Sequence, residues 1–174
     1  MPPDFIFDIH LLLGYVAWLL CTAAYIWPKV KGLSPVAAQR AIAALHSFRF
    51  FGLVFILPGV VGSHLPQGFA PCAAYGDFAT GLLAMIALLT VRVRPLFWFS
   101  VVAFNVVGAA DIVIDYYHGV VLGLAPLAGE LGAAYGIVII YVPLLMITHG
   151  IAFYLLLRDR SRTRSRVSQG ASAS

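Results

Sequence analysis

The chain is short of charge. Only 10% of its 174 residues are Asp, Glu, Lys or Arg, against 61% that are hydrophobic. Soluble domains run at about 25% charged and about 45–50% apolar. So few charges cannot solvate the surface of a domain this size, which excludes an ordinary soluble globule and puts the chain in the membrane class. Cysteine is scarce too. Cys21 lies well inside the first apolar run and Cys72 near the opposite end of the layout below. A disulfide needs Cα atoms within about 7 Å, so none is expected. The opening MPPDFIFDIH has no basic residue and carries Asp4 and Asp8, which argues against a cleaved signal peptide. WLLC at 18–21 has Leu20 where a lipoprotein box would have a small residue. No nucleophile–base pair is recognisable, so an enzyme is not the expectation. The net charge of +4 does not point to nucleic acid, because most basic residues flank apolar runs.

What is present is apolar sequence in long stretches. A spanning helix needs about 20 mostly apolar residues, and five stretches qualify: 5–27, 42–61, 71–91, 96–117 and 135–157. Pro28, Pro35 and Pro95 mark their boundaries, since proline breaks the backbone ladder except in a first turn. The expected fold is all-α, a polytopic membrane bundle of five transmembrane helices forming one domain over 1–157. Lys29, Lys31, Arg40, Arg92, Arg94 and the arginines after 157 all fall in alternate connections, while the other connections carry no Lys or Arg. The positive-inside rule then puts the N-terminus outside and the C-terminus in the cytoplasm. The 119–134 segment is too short and glycine-rich for a sixth span and is read as interfacial or re-entrant, with a short helix after Pro126. The tail 158–174 is basic, then small and polar, and is expected to be disordered.

Ten of the eleven Lys and Arg residues are accounted for by topology; Arg49, in LHSFRFFGLVF, is not. It falls near mid-depth of the second span, where an arginine costs about 2.5–3.5 kcal/mol to insert. It is expected to face inward and pair with Asp111 or Asp77. Asp111 and Asp115 are spaced i,i+4 and share a helix face, with Gly108 beside them and Asn105 at the margin. Asp77, Thr80, Gly81 and Ala84 make a similar stripe on the third span. Up to three carboxylates face one arginine, so one is protonated, or a cation or substrate completes the site, or Asp77 and Asp115 reach water. Intramembrane ionisable residues are functional candidates by default. Arg49, Asp77, Asn105, Asp111 and Asp115 are therefore the candidate ligand- or ion-binding set.

His46 and His149 fall at matched depth on different spans and make an alternative, the axial ligands of a b-type haem; no cofactor is the primary expectation. His10, His64 and His118 lack metal-ligand spacing and are read as interfacial. Pro143 is expected to kink the last span and free a carbonyl.

Three blocks, GDFATGLLA at 76–84, FNVVGAADIV at 104–113 and YVPLLMITHGIAFYLL at 141–156, resemble a group of small, uncharacterised bacterial membrane proteins. Phe104 stands where that group would have tryptophan, and His46 where it would have glutamine. The resemblance implies a bacterial inner-membrane location and no activity. The expected function is small-molecule or proton-linked binding or transport, with the lipid bilayer as surroundings. Five helices are few for a transporter, which a homo-oligomer or larger membrane complex would repair. The alternatives are a haem redox protein and a structural or accessory subunit.

Overall fold

The computed structural model describes residues 1–66 and 68–171, with side chains through residue 159. All regular structure among them is helical. Helix α1 is Pro3–Val30; α2 is Pro35–His46 and continues as a 3₁₀ helix, Ser47–Ile56. Next come α3, Phe69–Leu89, and α4, Arg94–Val121. A second 3₁₀ helix, Ala125–Ala134, leads into a π turn, Ile137–Tyr141, and α5, Val142–Ala171. The expectation of disorder for 158–174 falls largely on residues whose side chains, or whole placement, lie outside those described.

Proline acts here less as a stop than as a perturbation. Pro35 opens α2 where its missing N–H costs nothing, and Ser34 Oγ caps the same turn by accepting from the Ala37 N–H at 3.3 Å. Pro28, expected to end the first span, lies inside α1 just after a π turn, Thr22–Ile26. Pro143 likewise follows the π turn Ile137–Tyr141. In both places the ring removes the donor that the carbonyl four residues back would use, and the ladder widens locally. Near the second, the Trp18 indole N–H donates to the Ile140 carbonyl at 2.8 Å, which ties α1 to the bend.

Four helices among those described are long and apolar enough to cross a membrane: Pro3–Val30, Phe69–Leu89, Arg94–Val121 and Ile137–Asp159. The expected fifth, over 42–61, is not a single α-helix. It is the end of α2 and the 3₁₀ run, and 57–61 is irregular. The reason lies in the spacing of what is buried. His46, Arg49, Gly52 and Phe55 recur every third residue and are all buried. Three residues per turn align them on one face, whereas a 3.6-residue turn would rotate them off it. Segment 119–134 does not form a helix of spanning length either. α4 runs on through Val121, and the 3₁₀ helix after it bends at Gly132 with φ 51°.

The core is layered. One apolar cluster gathers Phe7, Phe55, Phe69, Leu124, Leu131 and Val138 at the end that holds the N-terminus. A second gathers Ile42, Ala84, Phe97, Val101, Phe104 and Ala152 at the end that holds Lys29 and Arg94. A polar layer lies between them. α3 shows the order along one helix: Ala73 and Ala74, then Asp77 and Thr80, then Ala84 and Ala87, all buried. α1 is the outlier, burying little beyond Phe7 and exposing Leu12, Leu13 and Leu20.

Candidate functional site

Arg49 projects from the 3₁₀ run into the polar layer and is 1% exposed. Each of its three nitrogens has a partner. Nε donates to Asp77 Oδ1 and Nη2 to Asp111 Oδ2, each at 2.5 Å. Nη1 donates to the Gly108 carbonyl at 3.1 Å and faces His149 Nε2 at 3.3 Å. The arginine therefore pairs with both candidate aspartates at once and joins α3 to α4. Desolvating these charges is expensive unless geometry and hydrogen bonds compensate, and the planar fork of arginine supplies both.

Close helix approach makes this possible. A Cβ at Gly76 would collide with the Asp111 carboxylate, and one at Gly108 would collide with Thr80, His149 and Arg49. Small residues at such crossings let backbones and polar groups meet in an apolar medium.

Asn105 is brought to the layer but used internally. Its Oδ1 lies 2.9 Å from His149 Nδ1, and its Nδ2 donates to the Val101 carbonyl. That arrangement puts the proton of His149 on Nδ1 and turns Nε2 toward Arg49 as an acceptor. His46 is fully buried, with Nε2 3.0 Å from Thr148 Oγ1. The two imidazoles pack directly on each other, with ring centroids 4.1 Å apart. Axial ligation would need them on opposite faces of a macrocycle; with the rings in contact there is no space for one, so the donor pair does not fit a haem in this arrangement. His10 bonds Tyr135 and His64 faces Glu130, so they do not converge with His118. Among the described residues no group of three or more His, Cys, Asp or Glu is placed to hold a metal ion.

Asp115 is the carboxylate left over. It lines a cavity of about 430 Å³ that also reaches Arg49 and Asp77. Its Oδ1 is buried and accepts no hydrogen bond from the described residues. The cavity lies in the layer around Phe7, Phe55, Phe69 and Ile112, against Tyr116. Asp4 and Asp8, both exposed, stand at its rim, and the chain at Gly123 and Leu124 passes over it. Tyr116 and Thr148 escaped the sequence reading. The first adjoins Asp115 and its hydroxyl meets that of Tyr15 at 2.8 Å; the second precedes His149, and only the fold shows that it faces His46.

A family model described as Domain of unknown function (DUF8737) matches residues 6–157. No curated protein and no solved structure matches the chain.

Proposed function

Because the chain belongs to this family of unknown function, its role has to be argued from the site, and we propose that it is a multi-pass membrane protein that binds a small molecule in the cavity above the Arg49 layer. The carrying observation is that the cavity is lined by ionisable groups of the buried polar layer, Arg49 and Asp77, together with Asp115. Cavities of about 300–1,000 Å³ with apolar walls and a few convergent polar groups are the usual form of small-molecule sites. The excess of carboxylates over guanidinium makes proton uptake or release on binding part of the same reading.

The topology goes with it. Twelve α-helical and ten 3₁₀ residues over 35–56 extend about 38 Å, enough for a hydrocarbon core of about 30 Å. Phe55 ends beside Phe69, while Ile42 lies among Phe97 and Val101. We therefore count this segment as a fifth crossing. Lys29, Lys31, Arg40, Arg92, Arg94 and Arg158 then share one face of the membrane, which the positive-inside rule makes cytoplasmic. The cavity mouth and the N-terminus face outward, and a bacterial inner membrane suits this charge pattern.

The test is thermal unfolding of the purified full chain in detergent against a charge-diverse set of small molecules, repeated on Ala73→Phe. Ala73 is buried and lines the cavity, so the larger ring fills it. Binding is expected to raise the midpoint of the wild type and not of the folded variant. If no compound stabilises the wild type, or both proteins respond alike, the cavity is not a binding site. The pairing of Arg49 with both Asp77 and Asp111 favours a second reading, in which the polar layer only fixes helix register; that reading predicts no response in either protein.

A further inference from the structure

Building on the cavity as a binding site, we propose that its ligand is an organic cation, an amine or quaternary ammonium with an apolar body, held by Asp115 against the aromatic wall. Charge is the first ground. Asp4, Asp8, Asp77 and Asp115 line the cavity, with Arg49 as its one basic residue. Arg49 is already paired with Asp77 and Asp111, so it brings no uncompensated positive charge to attract an anionic ligand. Asp115 keeps an oxygen that is buried yet bonded to nothing among the described residues, a costly arrangement that a bound cation relieves. Asp77 is nine-tenths buried, lines the same cavity and uses one oxygen on Arg49.

The walls decide which cation. A metal ion would need several oxygen ligands around it, and among the described residues no such group is assembled. Phe7, Phe55, Phe69 and Tyr116 instead line it with aromatic rings. Aromatic faces attract poorly hydrated ammonium groups, and desolvation strengthens the attraction. The exposed carboxylates of Asp4 and Asp8 at the rim complete a path of one sign, which concentrates cations at the mouth. An apolar body fits against Leu11, Ile112 and Val138, which also line the cavity.

The experiment is equilibrium dialysis of the full chain in nanodiscs with two labelled probes of one shape, benzyltrimethylammonium and its uncharged isostere neopentylbenzene, using empty nanodiscs as the blank. Saturable retention of benzyltrimethylammonium is expected, at least tenfold tighter than the isostere, with the preference lost in Asp115→Asn and the retention undisturbed by excess potassium chloride beyond ordinary screening. Asp115 makes no ion pair among the described residues, so Asp115→Asn should fold, and size-exclusion elution checks that it does. Equal retention of both probes, abolished by Ala73→Phe, would leave the binding cavity standing and overturn the cation assignment. Displacement by low concentrations of an inorganic cation, or a preference unchanged in Asp115→Asn, would also overturn it. Retention of neither probe above the blank would remove both the cation and the cavity reading.

Discussion

Arg49 could be picked out because every other basic residue sits where a membrane boundary would put it, and a lone charge amid Phe48, Phe50 and Phe51 has no cheap explanation. Its geometry was less legible. Spacing alone allowed Asp77 or Asp111; the fold gives it both, because an arginine fork presents donors in two directions. Removing one member of a buried ion pair costs about 3–5 kcal/mol, because the partners stay buried and unpaired. Arg49→Leu is therefore expected to lower the unfolding midpoint in detergent sharply, whereas Arg92→Leu, at an exposed position, should stay within about 0.5 kcal/mol of the wild type. Equal midpoints would show that the layer is not structural. Arg49→Met combined with Asp77→Asn and Asp111→Asn should recover part of the loss, since no charge is then stranded. Asn105 belonged to the candidate ligand set; in the structure its Oδ1 meets His149 Nδ1 and its Nδ2 donates to the Val101 carbonyl.

Among the elements, the 3₁₀ run over Ser47–Ile56 departs most from expectation. Runs longer than three or four residues are uncommon, and mid-helix ones often mark hinges. The signal was present in the every-third-residue series of His46, Arg49, Gly52 and Phe55, but a period of three is hard to separate from 3.6 over four positions in a stretch that is apolar on all sides. The π turns were foreshadowed by Pro28 and Pro143, although proline alone does not say whether a helix stops or bends. At the α3–α4 crossing, Gly76→Ala makes a sharp test. Helix propensity favours alanine by about 0.8–1.0 kcal/mol, while the collision with Asp111 opposes it. A lowered unfolding midpoint is expected; a raised one would mean that the two helices are not in close approach. The 3₁₀ cap Ala125–Ala134 is tied down by the Gly62 N–H, which donates to the Glu130 carbonyl at 2.7 Å, and by the His64 N–H donating to the Glu130 side chain at 3.3 Å. Glu130→Ala is expected to speed hydrogen exchange of the His64 amide and of the cap while α3 and α4 stay protected, as local opening does. Unchanged exchange in the cap would show that Glu130 does not hold it.

At the scale of the whole molecule, the proposed fifth crossing would place Gly32 and Ser63 on opposite faces. In a Cys21→Ser/Cys72→Ser background, Gly32→Cys and Ser63→Cys should react with an impermeant maleimide from opposite sides of sealed vesicles. Labelling from one side would show that the 35–56 segment turns back, leaving four crossings. α1 buries little beyond Phe7 and lines one side of the cavity through Phe7 and Leu11. By itself the sequence determined the membrane class, the places where most helices run, and the singularity of Arg49, because solvation in lipid acts on each residue's polarity and leaves its mark in composition and run length. The tertiary structure alone decided that Arg49 bridges two aspartates, that His46 and His149 lie in tilted contact without room for a macrocycle between them, and that Asp115 is left lining a cavity. Those outcomes depend on helix rotation and on approaches set by Gly76 and Gly108, a matter of a few ångströms that residue spacing does not encode.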